Sequence, residues 1–488
     1  MIKTVSISYP PLESEKGTPL LSQNRQFQWF TSPTYIYPVI PAYAATLLKS
    51  QGYQVYWDDA IAEAISYNNW LKRIIKRHPD IVAMETKTPV VKRHWKIVNE
   101  LKLALPKSKI VLMGDHVTAL PEESMINSQV DFVIAGGDYD FILSSVVAKL
   151  NQKGEFSGGV WYRSEKEIKN TGSYDPHTHT LDELPMIDRR LTKWKNYAYE
   201  NGNFKHTPGA YMMSGRDCWW GRCTFCSWTT LFPGSKFRTR SAKLALDEVG
   251  SLIDLGVKEI MEDSGSLPIG KWLTEFCAGM IDRGYHKKVV LSCNMRINGI
   301  RNPETWKLMK KAGFRFILFG LESANQITLD RINKNLKVEE ITPGLKMCKE
   351  AGLEPHITTM IGYPWESYKD ARKTIDLAKE LFKKGYVDTL QATILIPYPG
   401  TPLYQYCQKN GLLKFTDYDR FDQREQVMKC PLTGTQVKEL TQDLYRSFIT
   451  PKFIFKKIVA IRNFDDIKFL FRATGKVLGH LTDFSPND

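Results

Sequence analysis

Short apolar runs alternate with helix-length amphipathic stretches twice along this chain, and such alternation is satisfied by parallel sheets rather than by hairpins. The first series of runs covers residues 3–9, 52–57, 80–85, 109–114 and 131–136, with helices expected over 42–51, 70–77 and 95–105. It predicts an α/β fold that opens with a doubly wound parallel sheet over residues 1–150. Ligands of such sheets sit at the carboxyl ends of strands. Here those ends carry Tyr9-Pro10-Pro11, Glu85-Thr86-Lys87-Thr88-Pro89, Gly114-Asp115-His116 and Gly136-Gly137. No Gly-x-Gly-x-x-Gly follows the first run, which speaks against a Rossmann nucleotide site. The second series, at 209–214, 259–263, 289–294, 316–320, 355–361 and 389–393, has barrel spacing and predicts a partial (β/α)6 barrel over 205–410. In barrels the active residues come from strand carboxyl ends. Residues 151–204 read as a polar, irregular connector, and 411–488 as a helical C-terminal region.

The loop after the first barrel strand holds Cys218, Cys223 and Cys226, while the other five of the eight cysteines stand singly. Three thiolates on one short loop suit a [4Fe–4S] cluster, each cysteine taking one iron and the fourth iron staying open. A structural zinc site asks for four N/S ligands, usually as two separated pairs. The nearest fourth candidate is His206, and no second Cys-x2-Cys occurs. Plain burial of the three thiols is the third reading. His177 and His179 lie in the connector with no third ligand beside them.

Composition narrows the class of protein. With 488 residues, 42% hydrophobic and 25% charged, the chain is long enough for two to four globular domains. No apolar run is long enough to span a bilayer, and Met1 leads straight into a strand without a signal peptide, so a cytoplasmic protein is expected. Few cysteines and one tight group also fit a reducing compartment. The net charge of +14 is compatible with nucleic acid, an anionic membrane or an anionic substrate, and by itself selects none of them. Residues 451–476 carry seven basic and two acidic residues interleaved with Phe453, Phe455, Ile458, Phe469, Leu470 and Phe471. Such a segment can make peripheral membrane contact, or pack as a helix on the barrel with its lysines reaching solvent. It lacks a nucleic-acid-binding module, so no nucleic-acid partner is expected.

The strand-end motifs resemble the cobalamin-binding-domain radical S-adenosylmethionine (SAM) enzymes, a family that includes class B radical SAM methyltransferases and the anaerobic magnesium-protoporphyrin monomethyl ester cyclases. In the N-terminal part the resemblance is carried most by residues 114–123, Gly-Asp-His-Val-Thr-Ala-Leu-Pro-Glu-Glu. It implies a cobalamin site formed by Tyr9, Glu85, Thr86, Gly114, His116, Gly136 and Gly137, the paired glycines allowing close backbone approach. The Asp-x-His-x-x-Gly signature of other cobalamin proteins is missing, so His116 is read as a polar loop residue rather than a cobalt ligand. In the barrel, the family's three cysteines hold the cluster, and Phe225 matches the aromatic residue before the third. Family members place SAM contacts where this chain has Glu262 and Asp263 (amine), Arg296 (carboxylate) and the strand end Gly320, Leu321, Glu322, Ser323. Residues 325–334, 362–366 and 397–402 match further landmarks of the family. This chain departs from the usual Cys-x3-Cys-x2-Cys by having four residues between Cys218 and Cys223.

The resemblance implies a reduced [4Fe–4S] cluster that cleaves SAM to methionine and a 5′-deoxyadenosyl radical, which takes hydrogen from an unactivated carbon. With cobalamin as methyl carrier, the expected activity is C-methylation of a small-molecule, lipid or peptide substrate, fed by an electron donor such as a flavodoxin or ferredoxin. Radical cyclisation or rearrangement is the alternative within the family, and a non-catalytic cobalamin or redox sensor the alternative outside it. A methylthiotransferase would need a second cluster, and residues 1–217 contain no cysteine. Tyr9, Tyr139, Tyr363 and Trp365 are candidates to line the space between the domains.

Overall fold

The structure, a computed structural model, describes residues 1–21, 27–165, 167–202, 204–234, 237–446, 459, 461, 467–472 and 474–475. Five strands of the first sheet are parallel: β1 (Thr4–Tyr9), β2 (Gln54–Asp59), β3 (Ile81–Glu85), β4 (Lys109–Met113) and β5 (Phe132–Ile134). Their near-continuous apolar runs are those of strands buried on both faces. Helices such as Val91–Ala104 cover the sheet, burying Val91, His94, Ile97, Val98 and Leu101 along one side. Two further strands extend the sheet, β6 (Val160–Ser164) antiparallel to β5 and β7 (Glu167–Asn170) antiparallel to β6, giving the order β2-β1-β3-β4-β5-β6-β7. These two lie in the stretch that the sequence reads as an irregular connector. Antiparallel strands need only one buried face, so they carry no apolar run. The chain reverses its winding direction at β1, which places the ligand crevice at the carboxyl ends of β1 and β3.

The second sheet runs in sequence order: β8 (Gly209–Met212), β9 (Glu259–Glu262), β10 (Val290–Met295), β11 (Phe314–Glu322), β12 (Glu354–Ile361) and β13 (Thr389–Ile394). All its neighbours pair in parallel, as a partial barrel requires. Glu259 knits the amino-terminal end. Its carboxylate accepts the backbone N–H groups of Lys205 (2.8 Å) and His206 (2.9 Å), the Ser292 hydroxyl (2.8 Å) and the Arg315 guanidinium. His206 therefore sits at the opposite end of β8 from the cysteine loop, a strand's length of roughly 13 Å away. It is not placed to be a fourth ligand there. The open edge of β13 is covered by the helix Gly434–Arg446, whose Tyr445 hydroxyl donates to the Ala392 carbonyl at 2.9 Å. Between 411 and 433 the C-terminal region is mostly irregular and includes an antiparallel bridge between Leu413 and Met428, in place of the helix expected there. The basic stretch 451–476 lies for the most part outside the described residues. Among the described residues no helix is long and apolar enough to cross a membrane.

The carboxyl ends of the two sheets face each other, and buried charge fastens them together. Arg216, 1% exposed, donates to Asp138 Oδ1 at 2.6 Å and through both terminal nitrogens to Asp140. Arg238 Nη2 reaches the other Asp138 oxygen at 2.7 Å, so two guanidinium groups balance two carboxylates. Nearby, the Gly137 N–H donates to the Leu231 carbonyl at 2.8 Å. A Cβ on Gly137 would stand 2.3 Å from the Phe232 ring. The close approach that this glycine permits is thus to the barrel's own helix. Removing one member of a buried pair leaves the other uncompensated at a cost of about 3–5 kcal/mol. Arg216→Met is accordingly expected to lower unfolding stability by about that amount. A urea unfolding midpoint unchanged from wild type would contradict this.

Candidate active site

Three thiols lie on the loop that β8 delivers, and neighbouring strand ends close around them. Burial pushes the Cys223 and Cys226 thiols up, and the nearby Lys334 and Arg296 cations oppose it at Cys223. Buried thiols in this setting ionise when a cation or metal compensates them. Gly265 lets the turn after β9 lie alongside Cys218, because a Cβ there would meet the Cys218 Cβ at 3.2 Å. Among the described residues no three His, Cys, Asp or Glu side chains converge on a point that could hold one metal ion. A [4Fe–4S] cluster makes a different demand, taking each thiolate on a separate iron. Three thiols on a loop beside two buried cations suit that donor set.

The oxygens around the loop are left wanting partners. Glu262 Oε1 accepts from the Ser214 N–H (2.7 Å) and the Ser264 hydroxyl (2.5 Å), while its buried Oε2 has no partner. Burial raises its carboxyl to about 7. Asn294 donates to Asp263 Oδ1 at 3.2 Å and to the Ser264 carbonyl at 3.0 Å, and its own Oδ1 is unpartnered. Asp217, next to Cys218, caps the Cys218 N–H at 2.6 Å with one oxygen and leaves the other bare. Glu322 closes the far side, with Oε1 paired to Lys334 Nζ at 2.8 Å and Oε2 unpartnered. Buried polar atoms are rarely left unsatisfied. Acceptors from four successive strand ends suit a ligand rich in donors, such as an ammonium or sugar hydroxyls.

Local backbone explains how Glu322 gets there. The β11–β12 register shifts between Gly320 and Glu322, and Glu322 has φ +65°, a left-handed conformation uncommon for a residue with a side chain. Its carboxylate folds back over Gly320, where a Cβ would lie 2.1 Å from Glu322 Oε1 and 2.7 Å from Lys334 Nζ. Gly320 is therefore needed for the ion pair. Ser323 points elsewhere, donating to Glu366 Oε1 at 2.9 Å within a buried network that includes Thr328 and Thr374. Trp365 joins that network through Thr328 at 3.2 Å. Tyr363 is fully buried with its hydroxyl unpartnered, close enough to Glu322, Glu366 and Cys223 for their charges to raise its pKa further after burial. Arg296 stacks on two tryptophans of the cysteine loop, Trp219 and Trp220.

Across the interface, the carboxyl ends of β1, β3 and β4 form a second polar group. The Tyr9 hydroxyl donates to Glu85 Oε2 at 2.6 Å, and burial holds the Glu85 carboxyl up at about 8. Glu85 Oε1 and the Tyr139 hydroxyl are buried without partners. Lys87, also buried, pairs with Asp115 at 3.2 Å. Gly114 has φ +135°, and a Cβ on it would come 2.0 Å from the Thr86 carbonyl, so only glycine lets these two loops meet. Thr86 bonds His94 Nδ1 at 2.9 Å. His116 is occupied on both sides, by Thr88 (3.2 Å) and Glu123 (3.0 Å), as fits a polar loop residue. The Gly136 N–H donates to Thr118 Oγ1 at 3.1 Å. Unsatisfied donors and acceptors at a switch point are what a large polar cofactor would use. Sequence reasoning missed Lys87, Asp138, Asp140, Asn294 and Arg216 as site elements. Only their position at strand ends hinted at them.

The radical SAM superfamily matches this chain over residues 212–378. An uncharacterized methyltransferase of Pyrococcus horikoshii is 27% identical over 428 residues, covering 86% of this chain and 90% of that protein. The anaerobic magnesium-protoporphyrin IX monomethyl ester cyclase of Cereibacter sphaeroides is 26% identical over 433 residues, 86% of this chain and 68% of the cyclase. The solved radical SAM methyltransferase TsrM from Kitasatospora setae, with cobalamin and a [4Fe–4S] cluster bound, aligns with a TM-score of 0.70 at 13% identity, covering 99% of this chain and 100% of that one. At such identity the likeness is one of fold.

The raised Glu262 carboxyl has a thermodynamic consequence. Its ordinary value of 4.5 applies in the unfolded chain, so between 4.5 and about 7 the folded state holds the proton more tightly. Stability from this group is present below pH 4.5 and is lost as pH rises to 7, by up to about 3 kcal/mol. Glu262→Gln should flatten that part of the stability–pH profile of the ligand-free protein. Equal slopes for variant and wild type in calorimetric melts from pH 4.5 to 7.5 would refute the assignment.

Proposed function

We propose that this chain, which matches the radical SAM superfamily over residues 212–378, is a cobalamin-dependent radical SAM enzyme that methylates an unactivated carbon of a small-molecule substrate. The observation that carries the reading is the meeting of two sets of unsatisfied buried polar atoms, one beside three thiols and one at a switch point, across a single interface. When bound, the cluster would supply the electron for SAM cleavage, and cobalamin the methyl group. Cys218, Cys223 and Cys226 would hold the cluster. Glu262 Oε2 and Asn294 Oδ1 would accept from the SAM ammonium, and Glu322 Oε2 from donors on its sugar. Lys334 fixes Glu322 and places a positive charge beside Cys223. Tyr9, Glu85, Thr86 and Gly114 would bind the corrin side, with Glu85 able to keep a proton on its unpartnered oxygen near neutral pH. Gly137 packs against Phe232 where the two sheets meet. A reductant is required, and a flavodoxin or ferredoxin would serve.

A second reading, radical cyclisation, is favoured by the similarity to the magnesium-protoporphyrin cyclase, of which this chain spans 68%. Anaerobic incubation of reconstituted protein with reductant, SAM and cobalamin separates the two. 5′-Deoxyadenosine together with S-adenosylhomocysteine is the outcome expected of a methyltransferase. Deoxyadenosine alone moves the assignment to cyclisation, and neither product, with both cofactors bound, removes the enzymatic reading. Glu322→Gln should weaken SAM binding by about tenfold or more, the worth of one charged hydrogen bond, while the cluster content stays intact. Unchanged affinity in equilibrium dialysis would take Glu322 out of the site.

A further inference from the structure

The first half of the cysteine loop is one residue longer than is usual in the family it resembles, and the structure shows what occupies the extra length. Between Cys218 and Cys223 lie Trp219, Trp220, Gly221 and Arg222. The Arg296 guanidinium stands 5.4 Å from the Trp219 ring centre and 4.9 Å from that of Trp220, so each indole covers it. Cation–π contacts at these distances are attractive, and more so where water is excluded. Arg296 is 5% exposed.

A second surface meets the loop from behind. The four consecutive carbonyls from Ile332 to Asn335 are all engaged by the loop or by Arg296. Ile332 O accepts the Thr224 N–H at 3.0 Å, and Asn333 O the Trp220 indole N–H at 2.7 Å. Lys334 O accepts Arg296 Nη2, and Asn335 O accepts the same nitrogen at 3.2 Å. Successive carbonyls can share one direction because Asn333 and Asn335 take left-handed φ values of 51° and 49°. Asparagine tolerates that region better than most residues. Gly299 completes the fit, since a Cβ there would meet Trp219 Cζ2 at 3.3 Å.

From this geometry we infer that Arg296 is a positioning residue that locks the lengthened cysteine loop against the 332–335 segment, and not a ligand of the SAM carboxylate. A guanidinium binds a carboxylate best through a two-nitrogen fork. Both forks at the terminal end, Nη1/Nη2 and Nε/Nη2, use Nη2, whose two hydrogens already go to backbone carbonyls. Its faces are taken by the indoles. Nε is buried and unpartnered, but neither two-nitrogen fork is left open, and the fixed cation pins Trp219 and Trp220, and with them the spacing of Cys218 from Cys223. The inference rests on the reading that these cysteines hold a cluster.

Arg296→Lys keeps the charge but loses the planar stack and the double donation. Trp220→Leu removes a partly exposed ring and its indole donor, a change the fold can bear. In anaerobically reconstituted full-length protein, each variant should release iron to a chelator on the order of tenfold faster than wild type, the worth of a contact of this kind. Both should shift the electron paramagnetic resonance line shape of the reduced cluster in the same direction. The double variant should add little to the worse single one, because the two residues form one unit. SAM affinity per remaining cluster should stay within about twofold of wild type, since no SAM contact has been removed. A wild-type release rate and line shape in Arg296→Lys, with SAM affinity lowered, would overturn the inference in favour of a carboxylate ligand. Fully additive iron-release effects would also overturn it. A wild-type protein that takes up no cluster would instead defeat the underlying assignment of the three cysteines, and that result is read before any variant is compared.

Discussion

Everything at the centre of this protein depends on a buried charge cluster in which Arg216 and Arg238 meet Asp138 and Asp140. Arg216 stands two residues before the first cysteine, and the two aspartates open the helix that follows β5. One set of ion pairs therefore fixes both the direction in which the cysteine loop leaves the barrel and the placement of the first sheet above it. Charges this deep are tolerated only when fully paired, because each carries a desolvation cost of several kcal/mol. The requirement for completeness makes the cluster a specificity device. A displaced interface would leave at least one of the four charges bare.

The same interface keeps its functional atoms under strain and without partners. Asp217 and Glu322, both carboxylates, take left-handed φ values of 74° and 65° on either side of the thiols. Such conformations cost about 1–3 kcal/mol each in non-glycine residues and persist where surrounding contacts over-determine them. Here the surroundings are visible: the Cys218 N–H holds Asp217, and Lys334 holds Glu322 over the bare backbone of Gly320. Oriented acceptors that need not reorganise when a ligand arrives are the usual way a protein prepares for charged or strongly polar reactants. The proposed activity thus draws on rigidity at the strand ends.

Much of this architecture is legible in the chain itself. The five runs of the first sheet and the six of the barrel are apolar because parallel strands are buried on both faces, and burial of that kind leaves its mark in local composition. Cys218, Cys223 and Cys226 declare themselves by spacing, whereas Gly320, Glu322 and Glu262 are picked out by the resemblance to radical SAM strand ends. The strands β6 and β7 were hidden for the converse reason, being half-exposed antiparallel strands with mixed polarity. Gly137 was legible as a point of close approach but not as to what approaches it, which proved to be Phe232. Arg296 was visible as a cation at a strand end, and its two tryptophan neighbours as part of the loop, yet nothing in the order of residues says that they touch.

Local sequence determined the elements, their order, and the chemistry available at each strand end, because periodicity and spacing act over a few residues along the chain. Tertiary structure alone decided which ends face each other and which polar atoms are left without partners. It also decided that Ser323 turns into the Glu366 network while Glu322 turns toward Lys334, and that His206 falls at the far end of the barrel from the thiols. Those outcomes depend on contacts between residues tens to hundreds of positions apart, such as Arg216 with Asp140. Their energies come from burial and charge pairing that exist only once the two sheets have closed on one another.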